Sequence, residues 1–384
     1  MYSDRIRSLP PYLFAAIEKA KKDAIKRGTD AIDLGVGDPD LPTPGPVIEE
    51  LCRAANDPEN QQYPTTEGKI EFRTAVSEWC KGRFGIDVDP ENEVLTLIGS
   101  KEGIAHAPLA FLNPGEKALV PDPAYPVYRT AVSFAGGVSI TVPLKRENGF
   151  LPDLDSIDIK EAREAKLIIL NYPNNPTASS ADLSFFKELV DFARDNRIIL
   201  LHDNPYSEVY FEEKPPSVLE IDGAMDVAVE FNSLSKTFNM TGWRIGFVVG
   251  NSDIIAGITK VKSNIDSGNF GAVQDAGTVA LRKLLREPDE MRLKYKRRAE
   301  RLYVGLKELG LELERPKATF YLWAWAGGSS IEFCERLLSR TGIVATPGIG
   351  FGKFGEGYVR FSVTQPTSQI DMAVKKIEEM LSEE

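Results

Sequence analysis

Asn232-Ser233-Leu234-Ser235-Lys236-Thr237, followed after four intervening residues by Gly242-Trp243-Arg244-Ile245-Gly246, decides the reading of this chain. The stretch sets one lysine among hydroxyl side chains and places an arginine a short distance downstream. A lysine that carries an aldehyde as a Schiff base spends part of its cycle neutral, so it needs surroundings that depress its pKa and an anchored partner nearby. Ser233, Ser235 and Arg244 are suited to share one phosphate, with the arginine supplying charge and a fork of donors. Residues 226–231, just upstream, read as a buried strand that would hold the lysine at a sheet end. The plainer alternative, a surface lysine in a polar loop, is weighed against the rest of the chain.

Further strands are expected at 94–98, 117–120, 166–170, 197–201, 227–231 and 245–249, all largely apolar without alternation. Such runs suit strands covered on both faces of a mostly parallel sheet. Residues 181–196 and 252–263 read as crossover helices, the first with Phe185, Phe186, Leu189, Val190 and Ala193 at helical spacing. The fold class is therefore α/β for the larger part. Beyond a long charged helix at 287–309, strands at 318–325 and 357–363 flank a helix at 330–340 and indicate a smaller α+β domain. A helix at 11–27 is expected to join it. The division is a large domain at 45–279 and a discontinuous small domain at 1–44 and 280–384.

The chain has 384 residues, 46 basic and 57 acidic, for a formal charge of −11. That length exceeds one ordinary core, and that charge has the wrong sign for general nucleic-acid binding. No stretch approaches the ~20 apolar residues needed to cross a bilayer, and the start, Met1-Tyr2-Ser3-Asp4-Arg5, carries no apolar leader. A cytoplasmic protein is expected. Cys52, Cys80 and Cys334 lack metal or disulfide spacing, and the two histidines, His106 and His202, disfavour a histidine-rich metal centre or a Ser/His triad. Any difficult chemistry falls to an organic cofactor, and no metal is expected.

Several loops belong at the carboxyl ends of those strands, where a parallel α/β sheet presents its ligand site. Gly99-Ser100-Lys101-Glu102-Gly103 opens a helix, so its amides suit a phosphate, although glycine and serine there also serve plain turn and capping chemistry. Tyr172-Pro173-Asn174-Asn175-Pro176-Thr177 and His202-Asp203-Asn204-Pro205-Tyr206 follow two other strands. Asp203, Tyr206 and Asn175 in these loops, with Tyr125 upstream, are candidate polar and aromatic contacts for an organic cofactor. Turn capping for Asp203 and core packing for Tyr125 are the bland alternatives. Arg360, inside the apolar run Gly357-Tyr358-Val359-Arg360-Phe361-Ser362, needs an anionic partner: a substrate carboxylate, or an internal salt bridge. Gly37 can approach the same carboxylate through its backbone.

From Leu9-Pro10-Pro11-Tyr12-Leu13-Phe14 to Tyr358-Val359-Arg360 the chain resembles the fold-type I, class I/II aminotransferases that use pyridoxal 5'-phosphate. Within them it is similar to the prokaryotic LL-diaminopimelate aminotransferases, through Gly35-Val36-Gly37-Asp38-Pro39-Asp40, Gly99-Ser100-Lys101-Glu102-Gly103, Asn171-Tyr172-Pro173-Asn174-Asn175-Pro176-Thr177, Asn239-Met240-Thr241-Gly242-Trp243-Arg244 and Asp266-Ser267-Gly268. The resemblance implies that Lys236 carries the cofactor and shuttles the proton, with Ser100, Lys101, Ser233, Ser235 and Arg244 around the phosphate. Asn175, Asp203, Tyr206 and Tyr125 would contact the ring, and Tyr63 would reach the phosphate of a neighbouring subunit in a homodimer. Tyr12, Gly37, Lys101, Tyr125, Asn175 and Arg360 would meet the substrate. Ala178, where glycine often stands, and Asn204-Pro205, where small residues are common, depart from the pattern. The resemblance points to transamination between tetrahydrodipicolinate and glutamate. A general alanine, aspartate or glutamate aminotransferase, a lyase or decarboxylase of the same fold, and a regulatory sensor domain are the alternatives.

Overall fold

The computed structural model describes residues 2–382 apart from 8, 10–12, 27, 29, 285, 286 and 309. Seven strands among the described residues form the main sheet, in the order Val94–Leu97, Gly246–Gly250, Ala228–Ser233, Ile199–Asp203, Ala165–Asn171, Lys117–Asp122, Val138–Pro143. Neighbours pair in parallel except at Gly246–Gly250, which runs antiparallel to both strands beside it. The six strands expected from apolar runs are present within a few residues. Val138–Pro143 was not anticipated: it is a partly exposed edge strand, so its Val-Ser-Ile-Thr-Val-Pro sequence lacks the doubly buried apolar run that marks the others.

The sheet is buried on both faces because alternate residues along each strand enter different cores. Leu119, Ile168, Leu200 and Phe247 pack with Phe72, Trp79, Phe186 and Leu189 on one side. Val120, Ile169, Leu201 and Val248 pack with Ile104, Tyr128, Val132 and Ile258 on the other. The helical stripe read from sequence, Phe185, Phe186, Leu189, Val190 and Ala193, is the buried face of Leu183–Asn196. Asp182 caps that helix by accepting from the Phe185 amide, and Arg197 ends it in the left-handed region.

A second, antiparallel sheet orders Thr346–Pro347, Tyr358–Ser362, Tyr321–Trp325 and Glu312–Leu313. Its core joins Phe320, Leu322, Val359 and Phe361 to Tyr295, Leu302, Ile370 and Val374, from the helices Glu287–Glu308 and Thr367–Ser382. The N-terminal segment reaches this layer as Ile32–Asp33, which pairs in parallel with Ile343–Val344. Asp33 then accepts from the Gly35 and Val36 amides at 2.9 and 3.2 Å, which fixes the course of residues 35–37 toward the main sheet. The helix expected at 11–27 is observed as Leu13–Lys26.

Candidate active site

Strand ends of the main sheet and the segment after Asp33 enclose a cavity of 270 Å³. Lys236 lies in the single turn Leu234–Thr237 that follows strand Ala228–Ser233. Its Nζ donates to the Gly37 carbonyl at 3.3 Å and sits 5.7 Å from the centre of the Phe320 ring. Burial pushes its pKa down to about 8; Asp38 opposes the shift, and Arg244 and Arg360 reinforce it. The amine is therefore far easier to neutralise than an ordinary lysine.

Asp203 ends the neighbouring strand. Its Oδ2 accepts from the Tyr128 hydroxyl at 2.8 Å, while the buried Oδ1 has no hydrogen-bond partner. Burial raises its pKa to about 6, and Tyr128 and His202 restrain the rise. A buried carboxylate oxygen left without a donor is costly, and a protonated ring nitrogen is the partner that would relieve it. Asn171 ties this strand end to the next loop: its Nδ2 donates to the Asp203 carbonyl at 2.7 Å and its Oδ1 accepts from the Asn175 amide at 2.7 Å. Tyr206 follows in the same loop, and its hydroxyl lies 3.1 Å from that of Tyr321.

On the opposite side, Ser100 begins the helix Ser100–Phe111, so unpaired amides and the helix dipole face the cavity. Gly99 has φ +80°, and a Cβ there would lie 2.5 Å from Arg244 Nη2. Arg244, itself in the left-handed region, donates to Thr241 O at 2.9 Å and Ile98 O at 3.3 Å. Ser235 Oγ is buried without a partner, and Ser233 Oγ accepts from the Ser235 amide at 3.3 Å. Hydroxyls, amides and a guanidinium thus converge where an anionic group fits, in the cavity that Asp203 also lines.

Arg360, in strand Tyr358–Ser362, is only 1% exposed. It donates to Asn175 Oδ1 at 2.7 Å and Gly35 O at 2.6 Å, and lies 4.2 Å from the Tyr321 ring centre. A Cβ on Gly37 would overlap the Tyr321 hydroxyl, so the glycine is required by close approach. Lys101 and Tyr125 share the rim, the ammonium 5.8 Å from the ring centre. Tyr63 is 91% exposed and lines no part of its own chain's cavity, whereas Tyr12 lies outside the described residues. Ala178 adopts φ 59°, which accounts for glycine being the easier residue there. Sequence reading missed Tyr321 and Asn171 as site residues. Tyr321 sat in an expected strand with no motif around it, and Asn171 stood just ahead of the Tyr172-Pro173-Asn174-Asn175-Pro176 run, between it and the strand expected at 166–170.

The family model described as "Aminotransferase class I and II" matches residues 29–377. The LL-diaminopimelate aminotransferase of Aquifex aeolicus is 55% identical over 382 residues, covering 99% of each chain. That of Syntrophobacter fumaroxidans is 53% identical over 381 residues, covering 98% of each. Substrate-bound BacF from Bacillus subtilis superposes with a TM-score of 0.95 at 36% identity, covering 99% of this chain and 98% of that one. The cofactor of this family, pyridoxal 5'-phosphate, has the aldehyde, the basic ring nitrogen and the phosphate that Lys236, Asp203 and the Ser235–Arg244 corner fit. The chain belongs to the class I and II aminotransferases and works with pyridoxal phosphate.

Proposed function

We propose that this aminotransferase makes LL-diaminopimelate from tetrahydrodipicolinate, with glutamate as amino donor and 2-oxoglutarate as product, as a step toward lysine. The observation that carries the reaction class is the buried Lys236 amine facing the Asp203 carboxylate across one cavity. The full-length likeness to LL-diaminopimelate aminotransferases supports the substrate.

Pyridoxal phosphate, when bound, supplies the electron sink that acidifies the amino acid's α C–H bond. Lys236 would hold the aldehyde and, as a free amine of lowered pKa, would take the proton from the α-carbon. Asp203 would keep the ring nitrogen protonated, Tyr206 and Asn175 would bond the ring oxygen, Tyr125 would lie against the ring, and Ser100, Lys101, Ser233, Ser235 and Arg244 would hold the phosphate. Arg360 grips the α-carboxylate, with Gly37, Asn175 and Tyr321 shaping that end. Tyr12, Lys101 and Tyr125 are assigned to the rest of the substrate.

The active unit is a homodimer in which Tyr63 reaches the partner's phosphate, and the cytoplasm is its location. Residues 45–279 form the cofactor domain; 1–44 and 280–384 form the smaller one. No helix among the described residues is long and apolar enough to cross a membrane.

The test is a purified-enzyme assay with LL-diaminopimelate, alanine or aspartate as donor to 2-oxoglutarate. Turnover of diaminopimelate well above the other two is expected, and none with diaminopimelate would reject the assignment. Lys236→Ala should abolish both turnover and the absorption band of the lysine-bound cofactor.

A further inference from the structure

Lys262, the last residue of helix Ser252–Lys262, is an ammonium with no solvent exposure. Its Nζ donates to Glu102 Oε1 at 3.1 Å and to Asp266 Oδ1 at 2.7 Å. The buried His106 Nδ1 lies 3.0 Å from the same Glu102 oxygen and makes no aligned hydrogen bond. Glu102, His106 and Asp266 each offer a ligand atom within 4.8 Å of the others, the donor set of a divalent cation, and the lysine ammonium bridges Glu102 and Asp266.

Both carboxylates of this cluster lead to the phosphate corner. Glu102 Oε2 accepts from the Ile98 amide at 2.6 Å, and the Ile98 carbonyl accepts from Arg244 Nη2 at 3.3 Å. Asp266 Oδ1 also accepts from the Gly268 amide at 2.8 Å. Next in the chain, Asn269 Nδ2 donates to Arg244 O at 2.6 Å and Leu97 O at 3.2 Å. Gly268 packs so closely on the segment carrying Tyr63 that a Cβ would lie 3.0 Å from Thr65 O. Without Lys262, two carboxylates would face one another in a largely buried space, and the loops they hold would part.

We propose that Lys262 is a resident cation that positions the 98–100 turn and Arg244 for the cofactor phosphate, and that a divalent ion can replace its ammonium once the side chain is cut back. The inference rests on the phosphate lying between Ser100 and Arg244, and the experiment tests that reading separately. Apo-enzyme carrying Lys262→Ala is titrated with pyridoxal phosphate by absorbance, with and without one equivalent of Zn²⁺. Affinity should fall about tenfold or more, a coupling usual within one charged network. Zn²⁺ should bind one per chain and restore most of the loss. Adding Asp266→Asn to that variant should remove both the Zn²⁺ binding and the rescue.

Unchanged affinity in Lys262→Ala, with only a lower thermal midpoint of the apo-protein, would reduce Lys262 to a structural role and overturn the proposal. Lost affinity without Zn²⁺ rescue would overturn the replacement. If Lys262→Ala does not fold, Glu102→Gln is read in the same titration, where weaker binding is expected and wild-type binding refutes. Arg244→Ala separates the two readings: if it binds the cofactor normally, the phosphate assignment fails; if it weakens binding while Lys262→Ala does not, only the present inference fails.

Discussion

Lys236 and Asp203 are moved in opposite directions by one cause. Burial disfavours charge, so the lysine falls to about 8 and the aspartate rises to about 6. For the lysine, the unfolded chain binds more protons than the folded one between about pH 8 and 10, so its contribution to apo-protein stability increases as pH rises through that window. For the aspartate the sign is reversed: its contribution is greatest at low pH and declines as pH rises through about 6. Two consequences follow for cofactor binding. Schiff-base formation at Lys236 should accelerate with a midpoint near pH 8 in stopped-flow mixing of apo-protein and cofactor. Affinity should decline as the solution is acidified through about pH 6, and Asp203→Asn should bind weakly at every pH. At the substrate end, Arg360→Lys keeps the charge but loses the fork, and kcat/KM for the amino donor should drop roughly 10–100-fold, mostly through KM. These residues were legible because each sits in a local run with its own chemistry. Tyr321 was not: its role comes from Gly37, Tyr206 and Arg360, which converge on it only in the folded chain.

At the scale of elements, buried strands declared themselves, the edge strand Val94–Leu97 included, and the exposed edge did not. Val138–Pro143 is partly exposed, so it lacks the sustained apolar run by which the other strands were recognised. The strand Gly246–Gly250 shows how tightly elements are drawn together at the site. A Cβ on Gly246 would lie 2.5 Å from Asn232 O and 3.1 Å from the Ser100 amide. Gly246→Ala should therefore cost about 1–3 kcal/mol of apo-protein stability in denaturant titration. It should also weaken cofactor binding, because the displaced Ser100 amide belongs to the phosphate corner. Wild-type affinity in a destabilised Gly246→Ala protein would show that this corner tolerates the shift. The buried His202–Glu230 contact at 2.9 Å links two central strands beside Asp203. Neither residue's partner could be read from sequence, because they are joined only by strand pairing.

At the scale of the whole molecule, Tyr63 is a large aromatic left 91% exposed by its own chain, as expected for a side chain used by a second copy. Subunit mixing tests the proposed shared site. The Tyr63→Ala and Lys236→Ala proteins should each be nearly inactive. Their mixture should recover activity, because half of the hybrid's sites would have both residues intact. No recovery after verified subunit exchange would place Tyr63 outside the catalytic unit.

The one antiparallel strand of the main sheet sets a rule for chain length. In a parallel connection the chain would cross the sheet before returning, whereas here it turns back after Ser233 and re-enters at Gly246 at the same end of the sheet. Lys236 and Arg244 thus stand on a single closed loop, with Ser233 paired to Gly246 at its neck. Surface loops generally absorb insertions, but here an added or deleted residue would slide Arg244 away from Gly99 while leaving Lys236 in place. The interval between aldehyde carrier and phosphate anchor is therefore a molecular ruler, in which spacing is as constrained as residue identity.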